Sequence, residues 1–159
     1  MERLLRETLP GGEFPTVRPV HRKIMQAVRG KGNSTTEARF RAALAKAGIS
    51  GWRANCKLVS GSPDIFFPNA RLAIFLDGCF WHGCDLCGHT PKKNSQFWGS
   101  KITRNKERDK RTTALLRRKG ISVVRFWEHD ILNSLQDCLM RTKQILESRE
   151  TAGTKARKA

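Results

Sequence analysis

Arg71-Leu72-Ala73-Ile74-Phe75-Leu76 is the most apolar run of the chain, and it constrains the fold more than any other segment. Six residues are far too few for a membrane span, which needs roughly 18. A short apolar run bounded by turn signals reads instead as a buried strand at the centre of a sheet. Pro68-Asn69 supplies the turn before it, and Asp64-Ile65-Phe66-Phe67 is a second short β run before that turn. Ile121-Ser122-Val123-Val124-Arg125-Phe126-Trp127 reads as another strand, and residues 52–58 as a further one.

Helical patterns surround these strands. Residues 20–29 look helical, with Ile24, Met25 and Val28 on one face. Ser34, three residues ahead of Glu37, fits a capping box. The helix it opens is expected to run to about Ala47 and stop at Gly48, with Phe40, Leu44 and Ala47 inward. Asn94 or Ser95 can cap a long helix ending near Gly120. Asp130 can cap a last one through about Ser148, with Ile131, Leu135, Cys138, Leu139 and Ile145 or Leu146 inward. The expected architecture is a single α/β domain, a central mixed β-sheet flanked by helices. It is expected over residues 19–150, between a loose Gly/Pro-broken arm at 1–18 and a disordered basic tail at 151–159.

Charge narrows the function. The 159 residues carry 31 Lys and Arg against 14 Asp and Glu, a formal net charge of +17. Residues 21–57 carry net +8 and residues 92–119 net +9, while residues 58–91 between them carry net −2. A chain this basic meets a polyanion, most often nucleic acid; a solvated basic surface around an ordinary core is the plain alternative. Basic flanks around an acidic segment suit a nuclease, whose cations hold phosphates while its carboxylates hold a metal. The first residues, MERLLRETLP, carry two acids and two arginines and lack an apolar core, so no secretion leader is expected. No membrane contact is expected either.

The acidic segment has its own geometry. If residues 64–67 and 71–77 form a hairpin about the turn at 68–70, paired positions sum to about 139 or 140. Asp64 and Asp77 then stand at one end of the hairpin. Like charges so close need a cation, and Mg²⁺ suits one or two carboxylates with waters and phosphate oxygens. Taken alone, Asp64 is a turn acid after Pro63 and Asp77 a strand-end acid before Gly78. Pro63-Asp64 with Asp77 resembles the PD-(D/E)xK nuclease pattern, and so implies a restriction-endonuclease-like fold. Cys79 stands where that pattern has Lys, and His82 is the nearby group able to take a proton at neutral pH.

Five cysteines without a secretion leader point to metal or free thiols rather than disulfides. Cys79, Cys84 and Cys87 have the spacing C-x₄-C-x₂-C, and their thiolates are soft ligands that suit Zn²⁺. Three ligands leave one place, which His89 or His129 could fill. Cys56 and Cys138 read as small buried hydrophobes.

The segment Asp77-Gly78-Cys79-Phe80-Trp81-His82-Gly83-Cys84 closely resembles the very short patch repair endonuclease family. The likeness covers roughly residues 21–135. It includes Ile24-Met25, Arg29-Gly30-Lys31, Glu37, Gly61-Ser62-Pro63-Asp64, Pro91-Lys92-Lys93-Asn94, Phe97-Trp98, Asn105 through Asp109, and Phe126-Trp127-Glu128-His129. The resemblance implies a Mg²⁺-dependent endonuclease that nicks one strand beside the T of a T·G mismatch left by deamination of 5-methylcytosine. Asp64 would bridge two Mg²⁺ ions, and the Leu76 backbone carbonyl and Asp77 would lie in the metal shell. His82 would handle the attacking water, with Glu37 supporting the site. Some relatives have His at the position of Asp77.

The family also places the fourth zinc ligand directly after its Trp-Glu pair, which selects His129 over His89 for a single structural zinc. Such a site would tie the loop to the sheet. Phe80, Trp81 and Trp98 correspond to the wedge that enters the DNA stack beside the mismatch. Unstacking is least costly at a mispair, so a wedge selects damaged sites. Core packing is the other reading for Phe80 and Trp81, and the expected one for Trp52 and Trp127. The expected partner is double-stranded DNA carrying a T·G mismatch, with a functional link to a cytosine-5 methyltransferase. The protein is expected to act as a monomer in the bacterial cytoplasm, at the nucleoid. Two alternatives are a related nicking nuclease of restriction or phage defence and a non-catalytic zinc DNA-binding module.

Overall fold

The computed structural model describes residues 34–88, 91, 92 and 94–156, which all belong to one compact unit spanning 32–159. The arm at 1–18, the helix expected at 20–29, His89 and the end of the tail lie outside the described residues. In chain order the elements are α1 (Ser34–Lys46), β1 (Arg53–Ala54), β2 (Ile65–Phe67) and β3 (Leu72–Asp77). Then come α2 (Ser95–Arg118), β4 (Ser122–Trp127), α3 (Glu128–Asn133) and α4 (Leu135–Ala156).

The four strands form one mixed sheet in the order β1-β2-β3-β4. β2 and β3 make the expected hairpin, with Ile65 opposite Ile74, and β4 lies parallel to β3. The apolar run is therefore central, paired on both edges. Its side chains alternate between the sheet's two faces. Leu72 and Ile74 join Phe40, Leu44, Phe126 and Ile131 in the main core, under α1, α3 and α4. Ala73 and Phe75 face the other way and pack with Leu116 of α2. Phe40 is fully buried, its ring 5.6 Å from that of Phe126, so truncating it to Ala costs about 3–5 kcal/mol.

Local chemistry moves several expected boundaries. α1 ends at Lys46, and Gly48 takes a left-handed φ of 69°. The Ile49 N–H then returns to the Leu44 carbonyl, so Ile49 packs on the core and Ala47, expected inward, is exposed. The strand expected over 52–58 shrinks to Arg53–Ala54, because Asn55 adopts a φ of 47° and turns the chain. Cys56 lies beyond that turn yet is buried, as is Cys138. Asn94 precedes α2 in a left-handed conformation and makes no side-chain cap bond. Asp130 does not open the last helix. It sits in the first turn of α3, where its Oδ2 accepts the Trp127 N–H at 2.9 Å. Ser134 breaks the helical path, and α4 runs on to Ala156, past the expected end at Ser148. No helix among the described residues is long and apolar enough to cross a membrane.

Candidate active site and metal centre

The hairpin delivers Asp64 and Asp77 to one end of the sheet. Asp64 Oδ2 accepts the Leu76 N–H at 2.7 Å, which anchors the carboxylate across the hairpin. Burial pushes the Asp64 carboxyl up to about 6; the Leu76 N–H opposes this, and the charges of Glu37 and Asp77 add to it. Three acids from α1, the segment before β2, and β3 thus crowd one space. Glu37, whose spacing from Ser34 also fits a capping box, is buried and lies 3.4 Å from Arg41. The Ser34 side chain lies outside the described residues.

His82 lies in the loop after β3. Its Nδ1 is 2.5 Å from Asp109 Oδ2 on α2 and 3.7 Å from Asp77 Oδ1. Burial pushes the Asp109 carboxyl up. The His82 hydrogen bond and the charge of Arg125 outweigh burial and hold it below its ordinary value. An ionised carboxylate only accepts, so the network puts a hydrogen on Nδ1; in the neutral imidazole Nε2 is then the lone-pair nitrogen. Arg125 of β4 clamps Asp77 at 2.6 and 2.7 Å and reaches Asp109 at 3.1 Å.

The Cys/His loop is folded tightly against α2. Asn105 Nδ2 donates to the Trp81 carbonyl at 2.8 Å, and Gly83 takes a φ of 62° where a side chain would collide with Ile102 and Lys106. The Cys79 N–H donates to Glu128 Oε2 at 3.3 Å, and the Cys84 N–H to the Cys79 carbonyl at 2.9 Å. These bonds gather Cys79, Cys84, Cys87 and His129 into one cluster whose donor atoms all lie within 4.8 Å of one another.

Within the cluster His129 Nδ1 lies 3.3, 3.7 and 3.3 Å from the Sγ atoms of Cys79, Cys84 and Cys87, and the last two sulfurs are 3.7 Å apart. A tetrahedron with Zn–S of about 2.3 Å and Zn–N of about 2.0 Å has edges of roughly 3.5–3.8 Å. The spacings of 3.3–3.7 Å lie close to that range. His129 Nε2 faces Asp130 Oδ1 at 3.3 Å, the outer carboxylate that metal-bound histidines commonly use.

The three expected wedge residues meet. Phe80 lies 5.0 Å from Trp81 and 5.3 Å from Trp98, ring centre to ring centre, and Trp81 lies 5.9 Å from Trp98. Phe97 joins Trp98 at 5.2 Å, and Lys101 Nζ sits 4.8 Å from the Trp81 ring centre. All four rings are half-buried. Arg104, Lys106, Arg108, Lys110 and Arg111 are exposed further along α2. Trp52 packs against the main core as expected. Trp127 instead stacks on the His129 ring, 6.4 Å away and nearly parallel.

The structure therefore brings Asp64, Asp77, Glu37 and His82 to one end of the sheet and the four zinc-type ligands together beside them. Arg125, Asp109 and Asp130 join the site without being among the residues expected there from the sequence. Two left a signal in the sequence. Arg125 is a charge inside an apolar strand, and such a charge needs a buried partner. Asp109 follows Asn105 by one helical turn, and both reach the same loop.

The family model described as DNA mismatch endonuclease Vsr matches residues 17–88. The type II nicking enzyme V.NaeI of Lentzea aerocolonigenes is 38% identical over 128 residues, covering 77% of this chain and 76% of that protein. The type II nicking enzyme V.XorIIP of Xanthomonas oryzae pv. oryzae is 38% identical over 128 residues, covering 79% and 91%. The DNA mismatch endonuclease Vsr of Escherichia coli is 33% identical over 108 residues, covering 67% of each chain.

Proposed function

The chain belongs to the DNA mismatch endonuclease Vsr family, and from that premise we propose that it nicks one strand of duplex DNA beside the T of a T·G mismatch, with Mg²⁺ as its catalytic ion. It is a DNA endonuclease. The observation that carries it is the crowding of Asp64, Asp77 and Glu37 at one sheet end, with the His82–Asp109 pair alongside. A non-catalytic binding module has no use for acids that repel the phosphates it must hold.

The donor set fits Mg²⁺. Asp64, raised to about 6 by burial and its acidic neighbours, gains most from a cation, and its Oδ1 is not engaged by the Leu76 amide. Asp64, the Leu76 carbonyl and Asp77 would hold two ions, Asp77 yielding one of its Arg125 contacts to do so. Bound there, Mg²⁺ supplies charge stabilisation at the reacting phosphate. His82 Nε2 accepts a proton from the attacking water, while Asp109 keeps Nδ1 protonated and the ring aimed. Glu37 supports Asp64 from α1.

Cys79, Cys84, Cys87 and His129 would hold one structural Zn²⁺, which cross-links the loop carrying Phe80, Trp81 and His82 to the end of β4. The exposed cations of α2 grip phosphates, and Phe80, Trp81 and Trp98 open the stack. The substrate ties the enzyme to a cytosine-5 methyltransferase, whose product deaminates to the T of the mismatch. We place it as a monomer in the bacterial cytoplasm, at the nucleoid.

The relatives named as type II nicking enzymes favour a second reading, the same chemistry serving restriction or defence. One experiment separates the two. T·G and fully paired duplexes of the same sequence are incubated with the protein, with and without added Mg²⁺. A Mg²⁺-dependent nick in the T strand of the mismatched duplex alone is expected. Equal nicking of the paired duplex favours the second reading, and no nicking of either refutes both.

A further inference from the structure

Arg125 is the one charged residue of β4, and the sheet puts it on the α2 face. Val124 and Phe126 on either side of it are buried in the main core, so alternation turns Arg125 toward Phe75, its register partner on β3. Its guanidinium lies 4.7 Å from the Phe75 ring centre. From there Nε and Nη2 reach both oxygens of Asp77, at 2.6 and 2.7 Å, and Nη2 also reaches Asp109 Oδ1 at 3.1 Å. The other Asp109 oxygen holds His82 Nδ1 at 2.5 Å. A continuous chain of contacts thus runs from β3 through β4 and α2 to the loop histidine.

We propose that Arg125 is a positioning residue for the nicking reaction: it clamps Asp77 and Asp109 in one arrangement, and through Asp109 it fixes the ring of His82. The proposal rests on the reading of this end of the sheet as the nicking centre. Two acids from different elements repel and would drift apart, and each of their rotamers would aim His82 differently. A planar fork that donates to both removes that freedom; a lysine ammonium offers one point charge and cannot hold two carboxylates in a plane. The arrangement is not the cheapest way to fill the space. Arg125 Nη1 is buried with no hydrogen-bond partner among the described residues, and buried ion pairs are often matched in stability by apolar packing. Geometry, rather than stability, is what this residue adds.

The test uses the full-length protein and the T·G duplex, comparing Arg125→Met, Arg125→Lys, Asp109→Asn and the double variant Arg125→Met/Asp109→Asn. Single-turnover nicking is measured at saturating duplex and Mg²⁺. Duplex affinity is measured with Ca²⁺ in place of Mg²⁺, and thermal midpoints are recorded alongside. Arg125→Met and Asp109→Asn each lose on the order of 10²-fold in rate, the scale of an ångström-level misplacement, with duplex affinity within about twofold. The double variant is no slower than the slower single one, because the two residues act as one unit. Arg125→Lys keeps the charge and the buried stem, so it folds even if the Met variant does not, and it too is slow. Wild-type single-turnover rates in Arg125→Lys or Arg125→Met, or losses that multiply in the double variant, overturn the proposal. Asp64→Ala is run beside them: full nicking by that variant refutes the nicking centre itself, whatever Arg125 does.

Discussion

His82 Nδ1 sits 2.5 Å from Asp109 Oδ2, so a residue of the loop after β3 is aimed by a residue of α2 that lies 27 positions further along the chain. The pair leaves His82 Nε2 as the free nitrogen, which is what a group that accepts a proton from water needs. His82→Ala is expected to lower single-turnover nicking by about 10²–10⁴-fold. Rates within twofold of wild type across pH 6–8 would show that another group handles the water.

Asp64 carries a prediction about stability as well as activity. Asp64→Asn should lose nicking and keep duplex binding, measured by band shift with Ca²⁺. The folded carboxyl titrates near 6 and the unfolded one near 3.8, so the folded chain holds the extra proton between those values. Stability from this group is present below the lower value and lost as pH rises through the upper one. Without divalent ions, Asp64→Asn should therefore unfold at higher urea than wild type at pH 7.5, by about 1–3 kcal/mol, and show no such gain at pH 3.5. An equal difference at both pH values contradicts the assignment.

The Cys₃His cluster predicts one tightly held zinc per chain in the purified protein. His129→Ala should lose it, and His89→Ala should keep it. Asp130→Ala, which removes the carboxylate 3.3 Å from His129 Nε2, should weaken zinc by about 10–100-fold. Metal analysis during competition with a chelator reads all three. Zinc retained in His129→Ala, or absent from wild type, overturns the site.

The aromatic cluster predicts mismatch selectivity. Trp81→Ala should weaken binding to T·G duplexes more than to paired ones, by about 1–3 kcal/mol, the worth of stacking on one base. The same loss on both duplexes would identify the Phe80–Trp81–Trp98 contacts as packing alone.

Much of the molecule was determined by the sequence alone, wherever the relevant physics is local. The apolar run before Asp77 had to be a central strand, and the turn at Pro68-Asn69 set a hairpin whose observed register, Ile65 opposite Ile74, follows from its length. That register alone brings Asp64 and Asp77 to one end. The three loop cysteines point to a metal site by type and spacing. Family motifs, rather than any local rule, chose His129. The tertiary structure decided what depends on elements far apart in the chain. It laid β4 parallel to β3 and so set Arg125 against Asp77 and Asp109, and it placed α2 over the loop so that Asp109 holds His82. It also turned Ala47 outward, because the chain reverses at Gly48, and stacked Trp127 on His129. Periodicity encodes which face of an element is buried. It does not encode which buried charge meets which, because that choice is made only when separate elements pack and each charge must find a partner.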